Sequence, residues 1–215
     1  MPWTWIRGRP WWWRPTAELT DLTGVVRAAV TADPRVDAVE PVGSRAGGTP
    51  NALSDWDFVI VTDDEPAVAA ALPALVEPLA PLSRQWDRLG PPTYSCYMLM
   101  LTGPAKVDLI LPGLPHEPAP PWTVSGATLP AIDAHFWDWI LWLASKDFAG
   151  RDELVSEQLA VLQDHLLGPV GVTATPDSVP DAVDRYVAAR DRRSAELGVH
   201  LDERLERAVR PALPT

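Results

Sequence analysis

The chain has a single cysteine, fewer bases than acids, and no apolar run long enough to cross a bilayer. One cysteine, Cys96, excludes an intrachain disulfide framework and a cysteine-built zinc site. It stands in an apolar run, which suits a buried structural thiol better than a nucleophile. Eighteen Lys and Arg against 29 Asp and Glu leave a net charge of −11. A protein that grips a polyanion offers Lys and Arg to its phosphates. Long nucleic acid is therefore disfavoured as a partner, and a cationic small molecule would be attracted. The four histidines, His116, His135, His165 and His200, lack the spacing of a zinc site. A membrane span needs roughly 20 apolar residues, and a signal peptide needs a continuous apolar centre. Neither is present, so no membrane partner is expected and the expected compartment is the cytoplasm.

What is there divides into four stretches. Residues 1–15 form a Trp/Arg/Pro-rich leader with five tryptophans, read as a poorly ordered extension rather than a docking tail. Residues 16–115 hold the strand signals. Ala17 to Ala32 has helical spacing of Leu19, Leu22, Val25, Val26 and Val30. Val36 to Val42 reads as a strand ending at Gly43. Asp57 to Thr62 is β-branched and apolar, as a buried strand should be. Glu65 to Leu79 is Ala-rich and helical, with Pro73 and Pro78 kinking or splitting it. Tyr94 to Leu101 and Val107 to Leu111 form a hairpin around Thr102-Gly103-Pro104-Ala105. Residues 116–130 are a Pro-rich connection. Residues 131–215 read as helices: Asp133 to Phe148, Arg151 to Leu167 stopped by Gly168-Pro169, a third capped by Ser178 and running to Gly198, and a short one from Leu201 to Arg210. The predicted class is α+β: a small mixed sheet flanked by helices, followed by a C-terminal helical bundle.

Three acids stand out by placement. In Ser54-Asp55-Trp56-Asp57 two carboxylates lie at i and i+2 entering a strand, and such residues share a face. Trp56 points the other way, towards core. Asp108 sits inside the apolar strand 106–111, where a carboxylate is costly unless it is paired or ligates a metal. If its strand neighbours that of Asp57, the three form one acidic cluster, an oxygen-rich site of the kind Mg²⁺ favours. Gly43-Ser44 and the loop 45–48 offer backbone N–H groups and a hydroxyl to an anion.

Gly43-Ser44, then Asp55-x-Asp57 eleven residues on, then a later strand aspartate resembles the polymerase-β-type nucleotidyltransferase superfamily. Within it, Trp86 to Gly90, Gly103 to Leu109, Phe136 to Lys146 and Arg151-Asp152-Glu153-Leu154 resemble aminoglycoside (streptomycin-type) adenylyltransferases. That resemblance implies a magnesium-dependent adenylyltransferase-like enzyme. It would move a nucleoside monophosphate, AMP by analogy, from ATP or another nucleoside triphosphate to a hydroxyl of a small acceptor such as an aminoglycoside, and release pyrophosphate. Asp55, Asp57 and Asp108 would be catalytic and ligate Mg²⁺. Gly43 and Ser44 would hold the triphosphate, with Arg45 and Ser54 as further nucleotide contacts. Lys146 would reach the phosphates from the helical half. Arg45 alone reads equally as a solvated loop residue, and Lys146 as a snorkelling one. The general base is left among Asp108, Asp138, Asp152 and Glu153. Trp137, Trp139 and Trp142 read as core before they read as a stacking platform. Two other functions share these signals: a toxin–antitoxin-type nucleotidyltransferase acting on a protein or tRNA, and an inactive nucleotide-binding module.

Overall fold

The computed structural model describes residues 22–213, so the leader and the start of the first predicted helix lie outside the described residues. Helix α1 (Leu22–Val30) is followed by β1 (Ala38–Val42), the one-turn helix α2 (Gly43–Ala46) and β2 (Trp56–Val61). Then come α3 (Glu65–Leu75), β3 (Ser83–Trp86), β4 (Ser95–Leu101) and β5 (Ala105–Leu111). The remainder is helical: α4 (Leu129–Phe148), α5 (Asp152–Leu162), α6 (Gly168–Val170), α7 (Val179–Leu197) and α8 (Arg204–Val209). This is the α+β arrangement anticipated from the sequence.

The five strands form one mixed sheet in the order β1-β2-β5-β4-β3. Only β2 and β5 pair in parallel; the other three pairings are antiparallel. Strand alternation sorts the side chains into two faces. Phe58 and Ile60 of β2, Val107 and Leu109 of β5, and Tyr97 and Leu99 of β4 pack with Val26 and Val30 of α1 and Val68 and Leu72 of α3. The opposite face carries Asp57, Asp108 and Lys106, and its Met100 joins the core of the helical half. That second core gathers Phe136, Trp137 and Ile140 of α4, Leu159 of α5, and Val183 and Tyr186 of α7.

Several details differ from the sequence reading. Strand β3 was not anticipated: Ser83-Arg84-Gln85-Trp86 has little apolar patterning, and its strand character comes from pairing with β4. Pro73 lies inside α3 and Pro78 inside a separate 3₁₀ turn, so the proline pair does divide the segment. Helix α4 begins at Leu129, earlier than Asp133, because Pro130 is accommodated in its first turn. Gly168-Pro169 does not stop the chain. A π turn over Gln163–Leu167 leads into α6, and the chain turns only at Gly171, with φ +103°. A proline removes the donor to the carbonyl four residues back; here that carbonyl, of His165, accepts the Trp122 N–H at 2.9 Å instead. Helix α7 is capped by the Ser178 hydroxyl and closed by Gly198 in the left-handed conformation, as the sequence implies. Among the described residues no helix is long and apolar enough to cross a membrane.

The helical half is pinned by a buried charge network. The Asp133 carboxylate accepts from Tyr186 Oη at 2.9 Å, from Trp137 Nε1 at 3.2 Å and from Arg190 Nη1 at 3.4 Å. Arg190, itself buried, also pairs with Asp191 and Glu206, each at 2.8 Å. Removing one partner of a buried pair leaves the other charge unpaired, at about 3–5 kcal/mol. Arg190→Met is therefore expected to lower unfolding stability by about 3 kcal/mol in urea titration. The double variant with Asp133→Asn should cost less than the sum of the two single variants, and simple additivity would contradict the coupling.

Candidate active site

The parallel pairing of β2 with β5 sets Asp57 directly opposite Asp108. Asp55 stands two residues before Asp57 and turns to the same side. The three offer carboxylate oxygens that all lie within 4.8 Å of one another, so the sheet brings together the three acids singled out in the sequence. Across β2 on the other side, Asp57 is level with Val42, the residue before Gly43.

Gly43 is required here for two reasons. Its φ of +69° is in the left-handed region, and a Cβ on it would overlap the Asp57 carboxylate. The turn after β1 thus brings bare backbone against the acidic cluster. The neighbouring Ser44 hydroxyl is shielded from solvent and has no hydrogen-bond partner. A buried polar atom without a partner is rare, and this one follows directly on Gly43 in the chain.

The intervening loop is held from both sides. Arg45 Nε donates to the Asp55 carbonyl at 3.0 Å and Nη2 to the Ser54 carbonyl at 2.6 Å. The guanidinium lies over the Trp56 ring, 4.0 Å from its centroid, and Trp56 packs on the apolar face of the sheet. Ser54 Oγ accepts the Asn51 N–H at 2.9 Å. Asn51 Nδ2 in turn donates to the Ser145 carbonyl of α4 at 2.9 Å, fixing the loop to the helical half. Arg45 and Ser54 therefore spend hydrogen-bonding capacity on the loop that carries Asp55.

Facing the triad is a cavity of about 380 Å³ between the sheet and α4. Asp55, Asp57 and Asp108 lie on one side, with Asp87, Lys106 and Asp138 bordering the same space. Tyr94, His135, Trp139 and Trp142 supply its aromatic surface. Trp137 is wholly buried, so the core reading holds for it, while Trp139 and Trp142 also line the cavity. Of the acids considered as general base, Asp108 and Asp138 reach the cavity; Asp152 and Glu153 are exposed at the start of α5 and do not line it. Lys146 is half-buried near the end of α4, 5.0 Å from the Trp142 ring centroid, and its charge acts on Asp57.

The sequence reading missed Asp87 and Lys106. Asp87 follows the unanticipated strand β3. The chain has two lysines, and that scarcity, with one of them two residues before a strand aspartate, was the available signal for Lys106.

Electrostatics follow from this crowding. Burial, together with the charges of Asp55 and Asp108, pushes the Asp57 carboxyl up to about 6. Burial pushes Asp138 up to about 7, with Lys106 opposing and Asp108 adding to the rise. The buried His135 ring is driven down to about 4, so it is neutral at pH 7. Burial disfavours the charged forms of Asp57 and Asp108, and three carboxylates beside the bare backbone of Gly43 have the donor chemistry of an oxygen-ligated divalent cation site. The residues fit Mg²⁺.

No family model matches the chain, and no curated protein matches it. Among solved structures it is similar to a cytoplasmic RNA terminal U-transferase, with a TM-score of 0.36 and 16% identity, covering 63% of this chain and 39% of that one. It is similar to the polymerase core of TRAMP, an RNA surveillance complex, with a TM-score of 0.36 and 10% identity, covering 77% of this chain and 54% of that one. An aminoglycoside 6-adenyltransferase from Bacillus subtilis aligns over 85% of this chain and 92% of its own, with a TM-score of 0.29 and 9% identity. The chain spans about half or less of the length of the first two. All three are nucleotide-transferring enzymes by name. At these TM-scores the likeness carries no argument about this chain, and the functional reading rests on the site.

Asp57 has a folded-state pKa above its ordinary 3.8. Its contribution to stability is therefore intact below about 3.8 and is lost as pH rises through about 6. Asp57→Asn is expected to stabilise the metal-free protein at pH 8 by about 1–2 kcal/mol once solvent screening is allowed for. The gain should vanish at pH 3.5 or so, as read by denaturant titration at the two pH values.

Proposed function

We propose that this protein is a nucleotidyltransferase that moves a nucleoside monophosphate, AMP by preference, from a nucleoside triphosphate to a hydroxyl of a small cationic acceptor of the aminoglycoside kind. The observation that carries this reading is the level pairing of Asp57 with Asp108, which puts three carboxylates at one point beside Gly43. Asp55, Asp57 and Asp108 would hold Mg²⁺, which neutralises charge on the attacking and leaving oxygens in displacement at phosphorus.

The chain's own residues perform the rest. The Gly43 backbone and the Ser44 hydroxyl hold the triphosphate end, where an unpartnered donor meets phosphate oxygen. Lys146 of α4, whose charge acts on Asp57, would reach the same phosphates. Arg45 and Ser54 act one step back, keeping the Asp55 loop in place. The acceptor hydroxyl oxygen attacks the α-phosphorus, the bond to the bridging oxygen of the β-phosphate breaks, and pyrophosphate leaves. The hydroxyl proton passes to a carboxylate lining the cavity, Asp108 or Asp138. Positioning and charge compensation carry such a transfer.

A cationic acceptor is favoured by what lines the rest of the cavity. Asp87 and Asp138 add carboxylates to those of the triad, and Trp139, Trp142 and Tyr94 add aromatic surface that an ammonium group can contact. The net charge of −11 would draw the same ligand in.

Pyrophosphate release is the direct test, run over the four triphosphates and a panel of hydroxylated amines with and without Mg²⁺. Release should require Mg²⁺ and an amine-bearing acceptor. Asp55→Ala and Asp57→Ala should each reduce it by about a hundred-fold or more. Turnover at the wild-type rate in either variant would sink the assignment. Asp87→Asn should raise KM for a polycationic acceptor while leaving KM for the triphosphate within about two-fold, since only the rim charge facing the acceptor is lost.

A further inference from the structure

Lys106 is a buried cation that the proposed chemistry does not use. Its side chain is 6% exposed, on the central strand of the sheet and on the face that carries Asp108. An ammonium is buried at high cost unless carboxylates surround it. Two do. Lys106 Nζ donates to both carboxylate oxygens of Asp108, and it stands 3.7 Å from Asp138 Oδ2. One partner belongs to the sheet, the other to α4.

This placement has a consequence for metal binding. Asp108 contributes an oxygen to the point where the triad converges, yet both of its oxygens are held by the lysine. A divalent cation and the Lys106 ammonium would then contend for the same carboxylate, the ion with twice the charge of the ammonium. Asp138 is the other carboxylate that pairs with the lysine, and it belongs to α4 rather than to the triad.

We propose that Lys106 is a resident counter-cation, which occupies Asp108 when no metal is bound and is handed to Asp138 when metal takes Asp108. The inference rests on the metal-site reading above. The hand-over ties metal loading to α4, since the lysine that leaves the sheet carboxylate tightens on the helix carboxylate.

Mn²⁺ binding to the nucleotide-free protein, followed by electron paramagnetic resonance, tests this without reference to turnover. Lys106→Met should bind Mn²⁺ about ten-fold tighter or more than the wild type, because the competing charge is gone. Asp138→Asn should bind it several-fold more weakly, since the displaced lysine has lost its second partner. In the Lys106→Met background, Asp138→Asn should have little further effect. Unchanged or weaker Mn²⁺ binding by Lys106→Met would overturn the proposal, as would an equal Asp138→Asn effect in both backgrounds. Should Lys106→Met fail to fold, the wild type decides by nitrogen-15 labelling of its two lysines: saturating Mg²⁺ should move the Lys106 Nζ resonance, and an unmoved resonance overturns the hand-over. A wild type that takes up no Mn²⁺ would sink the metal site itself, whereas wild-type uptake without the lysine effects removes only the role of Lys106.

Discussion

The parallel contact between β2 and β5 is the constraint on which the site depends. Level pairing forces Asp57 and Asp108 side by side on one face, and the entry to β2 adds Asp55. Three carboxylates so close repel one another, and the sheet cannot relieve this by sliding. A one-residue slip of β2 would turn Phe58 and Ile60 out of the core along with the acids. The apolar face thus holds the acidic face in its register.

Much of the neighbourhood compensates for that repulsion. Gly43 gives the Asp57 carboxylate the space a side chain would fill. Arg45, stacked on Trp56, grips the carbonyls of the loop behind Asp55. Lys106 supplies positive charge from within the sheet. Each is a local cost accepted for a site: a positive φ, a guanidinium drawn into a loop, a buried ammonium. Such costs cluster where function resides.

Helix α4 joins the two halves and uses its acids in opposite ways. Asp133 faces α7 and is satisfied by Tyr186, Trp137 and Arg190, which makes it structural. Asp138, on another side of the same helix, looks into the cavity with the more distant Lys106 as its ion-pair partner and a carboxyl lifted to about 7. Two buried aspartates of one helix thus differ because one is saturated with donors and the other is not. The Asn51–Ser145 contact fastens the loop that carries Asp55 to this helix, so the cavity has walls from both halves.

The sequence by itself determined the periodic elements and the acids of the triad. Alternation in 57–62 and 106–111 encodes which residues share a face, and the glycine, serine and proline signals mark most ends. These are short-range properties, set by the backbone's own period and the turn residues. Strand β3 escaped notice because its pairing with β4, not its composition, makes it a strand. Gly168-Pro169 was read as a stop because the Trp122 N–H that satisfies the freed carbonyl comes from far along the chain. The tertiary structure alone decided that β5 lies next to β2, that Asp138 rather than Asp152 or Glu153 faces the cavity, and that Lys106 bridges sheet and helix. Those are distances between residues remote in sequence, fixed by which apolar faces bury against each other, and no local pattern carries them.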